Sequence, residues 1–213
     1  MGTYNLHKGY WWLSYPELGK WLDCVDKNSK LLDLGCGSGI LAAKLQEKGF
    51  RNIILSDIED QRSHPEIMGL PFFKADLNVD KIPSENLDII FATNLIEHLE
   101  NPHHFIRECG KALKPGGKLF LTMYIGWNWI SRLRFLRTGL VEGYHNHKNK
   151  SGPTAHISFL PKNILNNALS GFAPEFSFFQ KRKNIKILGK KIPAIFPKSE
   201  RWSAQGAFIY RKN

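Results

Sequence analysis

Residues 31–45 constrain the chain more than any other stretch. Leu31, Leu32 and Leu34 form a short apolar run, and glycine follows at 35, 37 and 39. Leu41, Ala42, Ala43 and Leu45 then mark one side of a helix. Strand, glycine turn and helix in immediate succession place bare backbone at a helix N-terminus, where a ligand can lie close against N–H groups. Glycine serves because a Cβ would collide with the ligand or forbid the turn's dihedral angles. Asp33 sets a carboxylate just before the turn. Two ligand classes drop out on detail. A dinucleotide fingerprint requires glycine at position 40, which is Ile40. A phosphate-cradling P-loop requires Gly-Lys-Ser/Thr, and the turn holds no lysine.

The next strand ends carry acids in step with this turn. Asn52 to Ser56 reads as a second strand running into Asp57, 22 residues beyond Gly35. An acid about 20 residues on is where a ribose diol is held by carboxylate hydrogen bonds. Pro71 to Leu77 reads as a third strand ending at Asp76, and Leu87 to Thr93 as a fourth, followed by Asn94-Leu95-Ile96-Glu97-His98-Leu99. Lys114 to Leu121 is a Pro-Gly-Gly turn into a fifth.

Asp33-x-Gly35-x-Gly37-x-Gly39, the acids at 57 and 76, the Glu-His-Leu segment and the Pro-Gly-Gly turn together resemble class I S-adenosylmethionine-dependent methyltransferases of the small-molecule, type 11/12-like kind. The resemblance covers residues 30–122. It implies an α/β fold: a three-layer αβα sandwich around a Rossmann-like, seven-stranded, mostly parallel sheet with an antiparallel final strand. It also implies S-adenosyl-L-methionine as cofactor. Asp33, Gly35, Cys36, Gly37 and Gly39 would surround the methionine part and the turn. Asp57 would take the ribose and Asp76 the adenine, with Ile58 and Leu77 beside them also counted as cofactor-binding. Asn94 would lie beside the transferred methyl.

At 213 residues the chain suits a single domain with a sizeable core. Along it we expect an N-terminal helical cap (1–29), a cofactor-binding core (30–122), a substrate-covering insert (123–160), and a final helix and strand pair with a basic loop (161–213). Cys24, Cys36 and Cys109 make no Cys-x-x-Cys pair and are odd in number, which points to a reducing compartment. Cys36, with no histidine beside it in sequence, reads as a small neutral side chain rather than a nucleophile. The aromatic run at Tyr10-Trp11-Trp12 is broken by Pro16 and Glu17, so no cleavable leader is read. The uncharged stretch from Leu119 to Ile130 is well short of the roughly 20 residues a spanning helix needs. The expectation is a soluble, cytoplasmic protein, with room for peripheral membrane contact.

Charge is unevenly placed. Net charge is +11, but residues 1–100 carry 10 Lys and Arg against 15 Asp and Glu, while residues 101–213 carry 20 against 4. The acidic half suits a cationic sulfonium, and the basic half should face something anionic.

Outside the motif region, Tyr10, Trp11, Trp12, Tyr15 and Trp21 precede the first strand, with packing against the sheet as their expected role. Asn101-Pro102 starts and Pro115-Gly116 stops an amphipathic helix with Phe105, Ile106, Cys109, Ala112 and Leu113 inside. Trp127 to Arg137 alternates aromatics and arginines. Trp129, Ile130, Leu133 and Leu136 share one helical face, expected to turn toward the core as a lid, with a lipid headgroup boundary as the alternative. Pro161 to Leu169 reads as the last helix, and Phe176 to Phe179 and Ala207 to Tyr210 as an antiparallel strand pair. The intervening Lys181 to Arg201 reads as an exposed basic loop.

Methyl transfer needs alignment and exclusion of water more than covalent help. A hydroxyl acceptor gains from a general base near neutral pKa, and His145, His147 and His156 cluster in the covering region as candidates. The same three could be read as metal ligands. No cysteine or acid set accompanies them in sequence, and no metal is expected. His98 beside Glu97 is read as structural. The expected acceptor is a small anionic molecule bearing a hydroxyl, such as a nucleotide-linked or phosphorylated sugar. The alternatives are RNA, tracked by Lys181 to Lys191, and a membrane-borne lipid or quinone met through Trp127 to Arg137.

Overall fold

The apolar runs at 31–34 and 87–93 have no polar face, so they must be covered on both sides. That is the condition for interior parallel strands. The computed structural model describes residues 11–144, 156–181, 183–187, 190–193 and 195–213, and in it both runs are central strands. In chain order the strands are β1 (Leu31–Leu34), β2 (Ile53–Asp57), β3 (Phe72–Lys74), β4 (Leu87–Thr93), β5 (Leu113–Tyr124), β6 (Phe172–Phe179), β7 (Asn184–Ile187), β8 (Lys190–Pro193) and β9 (Gln205–Lys212). The helices are α1 (Pro16–Asp23), α2 (Ile40–Glu47), α3 (Pro102–Ala112), α4 (Trp129–Thr138) and α5 (Lys162–Ala168). Short 3₁₀ turns lie at Trp11–Ser14, Pro65–Ile67 and Ile96–His98.

Seven strands form one sheet in the order β3-β2-β1-β4-β5-β9-β6. β9, the last strand in the chain, runs antiparallel to both β5 and β6. β1 pairs parallel with both β2 and β4, so the chain winds outward in two directions from β1. Such a switch point leaves a crevice beyond the strands' carboxyl ends, where open α/β sheets bind ligands.

Successive residues of a strand face opposite sides, and the two cores divide accordingly. Leu32, Leu34, Ile90, Ala92, Leu119 and Leu121 meet Phe105, Ile106, Cys109 and Ala112 of α3 and Leu165 of α5. Leu31, Ile53, Leu55, Ile89, Phe91 and Phe120 meet α1, α2 and the amino-terminal aromatics on the other face. Trp12 is wholly buried, with its ring 5.6 Å from that of Phe120, and Trp21 stacks on Phe120 at 6.0 Å. These tryptophans serve packing, as the sequence led us to expect.

Three expectations need correction. β3 stops at Lys74, so Asp76 lies in the turn beyond it rather than at a strand end. The span from Lys181 to Arg201 holds a two-stranded antiparallel hairpin, β7 with β8, and then Phe196 stacked face to face on Trp202 at 4.2 Å. Its described residues 184–187 and 190–193 are paired strands rather than a plain loop. The predicted core-facing stripe of α4 points outward: Trp129 is 47% exposed, Leu133 63% and Leu136 82%. α4 is instead anchored through its amino end. Asn128, wholly buried, accepts from the Ser131 N–H at 2.9 Å and donates to the Ile125 carbonyl at 2.5 Å.

Candidate active site

The glycine turn is locked to β2 by its own amides. The N–H groups of Gly35 and Cys36 both donate to the Ser56 carbonyl, at 2.9 and 3.1 Å. The Gly37 N–H donates to Asp57 Oδ2 at 2.8 Å. Gly37 holds φ at +50°, and a Cβ there would meet nothing within 4 Å. The space beside it is open, as a cofactor cradle requires. Gly39 differs: at φ +81° it caps α2, and a Cβ would stand 1.9 Å from Ile67 Cδ1. Gly37 thus leaves room for ligand, and Gly39 leaves room for the protein.

Asp33 is 1% exposed, and among the described residues no donor reaches either of its oxygens. Burial, then the neighbouring charge of Asp57, pushes its pKa from 3.8 up to about 8. A buried carboxylate without a donor is costly, and a cationic ligand group would relieve it. Asp57 Oδ1 accepts from the Ile58 N–H at 2.7 Å and the Glu59 N–H at 3.5 Å, and a carboxylate, with about four lone-pair sites, keeps capacity for a diol hydroxyl after these three bonds. Asp76 Oδ1 closes the turn after β3 by accepting from the Asn78 backbone N–H and Nδ2, both at 3.0 Å. Ile58 is exposed beside Asp57, whereas the Leu77 side chain is buried in the α3-side core. Cys36 is buried, and burial first among several causes raises its thiol far above the ordinary range. That removes it as a nucleophile at neutral pH. An open turn, an orphaned acid and a second acid at the β2 end fit a sulfonium amino acid linked to a ribose.

The crevice continues past β4. Asn94 sits at φ +49°, a conformation uncommon outside glycine. Its N–H is held by the carbonyl and hydroxyl of Thr122 at 3.0 and 2.9 Å. Leu95 lies against the glycine turn, 2.9 Å from where a Gly35 Cβ would stand. The 3₁₀ turn at 96–98 is thereby set beside the glycine turn.

Glu97 on that turn is wholly buried, and among the described residues no donor reaches either carboxylate oxygen. Burial pushes its pKa up to about 8. Its backbone carbonyl accepts the N–H groups of Ile157 and Ser158 at 2.9 and 3.1 Å, and the Ser158 hydroxyl bonds the Leu99 carbonyl. The start of the 156–159 segment is therefore tied down on the turn. His156 lies with its ring 4.8 Å from His98, 4.7 Å from Tyr124 and 5.7 Å from Tyr144. Its Nδ1 is 2.6 Å from the Gly143 carbonyl, so that nitrogen donates, which in the neutral form of the ring places the lone pair on Nε2. Burial and the Glu97 charge hold both tyrosine hydroxyls above their ordinary pKa.

Of the three candidate histidines, the structure brings His156 into this cluster, while His145 and His147 fall outside the described residues. Glu97, His98, Tyr124 and Tyr144 were passed over in the sequence. The available signal was position: an acid and a histidine directly beyond a parallel strand's carboxyl end, and a tyrosine closing the next strand.

The methyltransferase-domain family matches residues 15–172. Ubiquinone biosynthesis O-methyltransferases are similar to this chain: that of Coxiella burnetii is 28% identical over 102 residues, covering 45% of this chain and 44% of its own length. That of Caulobacter vibrioides is 31% identical over 98 residues, 43% of this chain and 39% of its own. The chain thus spans less than half the length of the curated relatives it matches. An S-adenosylmethionine-dependent methyltransferase from Methanosarcina mazei shares the fold with TM-score 0.60 at 19% identity, covering 93% of this chain and 97% of its own. A Pyrococcus horikoshii protein does so with TM-score 0.60 at 16% identity, covering 100% and 96%. The glycine turn, the strand-end acids and the seven-stranded sheet agree with these matches, and the chain belongs to the class I S-adenosylmethionine-dependent methyltransferase family.

Proposed function

We propose that this protein transfers a methyl group from S-adenosylmethionine to a hydroxyl oxygen of a small acceptor held between Asn94, Tyr124, Tyr144 and His156. The observation that carries this reading is the polar, half-buried cluster around His156 directly beyond Asn94, beside the cofactor cradle. The cofactor would be held by Asp33, the 35–39 turn, Asp57 and the Asp76 turn. When bound it supplies a sulfonium methyl that an oxygen lone pair displaces in line, the bond to oxygen forming as the bond to sulfur breaks and its electron pair stays on sulfur. Asn94 and Thr122 fix the floor of the crevice, and the tyrosine rings exclude water. His156, its tautomer set by Gly143, presents Nε2 toward the acceptor proton. The O-methyltransferase names of the partial relatives agree with an oxygen acceptor.

General-base removal costs about 10²–10⁴-fold in rate. His156→Ala should therefore lower kcat at least about 100-fold while S-adenosylhomocysteine affinity stays within a factor of about two. Undiminished turnover in that variant would sink this reading of His156.

The acceptor's class follows from surface character. The basic half favours an anionic molecule, and α4 adds a specific observation: Trp129, Leu133, Phe135 and Leu136 are exposed among Arg132 and Arg137. Apolar and cationic side chains mixed on one exposed helix suit the headgroup boundary of an anionic membrane. The second reading is therefore an amphiphilic acceptor, a lipid or quinone precursor, taken at that surface. No helix among the described residues is long and apolar enough to cross a membrane. Co-sedimentation with phosphatidylglycerol vesicles, reduced by Leu133→Glu with Leu136→Glu and absent with phosphatidylcholine alone, is the expected result. Equal partition into both lipids, or into neither, removes this reading.

A further inference from the structure

We propose that Glu97, His98 and His156 bind one divalent cation of the zinc or manganese class, and that the acceptor oxygen docks at its open coordination position. Each residue offers a donor atom, and these atoms all lie within 4.8 Å of one another. Ligands around tetrahedral zinc at about 2.0–2.1 Å stand roughly 3.4 Å apart, so side-chain rotations on the order of an ångström close the site. Two imidazoles and a carboxylate are a donor set for zinc, manganese or iron(II), with a position left for substrate. The Glu97 carboxylate supplies the independent sign of a ligand. It is wholly buried and receives no hydrogen bond from its described neighbours, a state that coordination to a cation would resolve. The Nδ1–H of His156 is donated to the Gly143 carbonyl at 2.6 Å, the backbone contact that orients metal-binding imidazoles and leaves Nε2 to the metal. The Ile157 and Ser158 amides pin the backbone of Glu97, so two of the three ligands are held by the same short segment pair.

The role of the cation rests on the hydroxyl-acceptor reading above. A cation-bound hydroxyl gives up its proton to water near neutral pH. The oxygen then forms its bond to the methyl carbon as carbon–sulfur cleavage leaves the electron pair on sulfur, yielding the methyl ether and S-adenosylhomocysteine. His156 in this arrangement acts as ligand, in place of the lone base.

The test is calorimetric titration of the chelator-stripped protein with zinc chloride and, separately, manganese chloride. We expect uptake near one equivalent of at least one of them. Glu97→Gln and His156→Ala should each weaken it about 100-fold or more, and a His145→Ala/His147→Ala double variant should retain it. Titration of each variant with S-adenosylhomocysteine reports whether the fold and cofactor site are intact. No uptake by the unaltered protein, full uptake by Glu97→Gln, or loss confined to the 145/147 variant would overturn the site. Methyl transfer that persists without metal uptake would remove the cation and leave the hydroxyl-acceptor reading standing. Metal uptake without transfer to any hydroxyl would do the reverse.

Discussion

Single residues divide the labour of the cofactor cradle between space and charge. An L-residue in the left-handed region costs roughly 1–2 kcal/mol. Gly37→Ala should lose about that much stability and little more, because its Cβ meets no protein atom. Its larger effect should be on S-adenosylhomocysteine affinity, lowered at least about tenfold as the methyl enters ligand space. Gly39→Ala has the opposite balance, since its Cβ falls onto Ile67. Its melting temperature should fall further than that of Gly37→Ala, with partial recovery when Ile67→Ala is added. Asp33 makes a prediction in pH. Its folded-state pKa of about 8 lies above the ordinary 3.8. The unfolded chain therefore binds fewer protons in between, and the stability of the ligand-free protein falls as pH rises from about 4 to about 8. Asp33→Asn should reduce that slope in thermal melts, the remainder coming from Glu97, whose pKa is raised in the same way. A cationic ligand beside Asp33 favours its ionised form. Cofactor binding at pH 7 should therefore release protons, seen as calorimetric heats that depend on the buffer's ionisation enthalpy and lost in Asp33→Asn.

Among the elements, α4 departs furthest from its sequence pattern. Its apolar positions at i, i+1, i+4 and i+7 are those of a core-facing helix, yet Trp129, Leu133 and Leu136 are turned to solvent and Ile130 is half-buried, while the element is held at its cap. Removing a cap residue ordinarily costs about 0.5–2 kcal/mol. Asn128→Ala should sit at or above the top of that range, since it also strands the buried Ile125 carbonyl. Leu136→Glu, at an exposed position, should leave the melting temperature within experimental scatter. A fall of several degrees in that variant would show that α4 packs against something in the folded protein.

For the molecule as a whole, stability rests on two cores divided by one sheet, and the amino-terminal aromatics close the second of them. Trp12→Ala should cost about 3–5 kcal/mol, the range for deleting a fully buried large ring. Circular dichroism melts would register this as a lowered midpoint with unchanged cooperativity. The charge division, acidic before residue 100 and basic after it, acts over the surface rather than at a contact. If the acceptor is anionic, its KM should rise with salt between 50 and 300 mM, while the cofactor's KM moves less.

The chain's local chemistry determined its own cradle. Three glycines, the acids at 33 and 57, and apolar strands of fixed length could be read directly, because each states a need of its own backbone: positive φ at Gly37 and Gly39, a carboxylate at a strand tip, burial on two faces. The β1, β2 and β4 boundaries and α3 with its Asn101 cap were legible on the same grounds, while the antiparallel last strand came with the family resemblance. Local pattern could not say which way α4 would turn its apolar side, since a helix's stripe does not name the surface it meets. Nor could it show that Lys181 to Arg201 contains a hairpin, whose stability depends on pairing rather than on composition. The cluster around His156 was hidden for the same reason. Glu97, Tyr124, Tyr144 and His156 are separated by as many as 59 positions. Only the convergence of the β4 and β5 ends with the 156–159 segment makes one buried carboxylate, two phenols and an imidazole a single chemical environment.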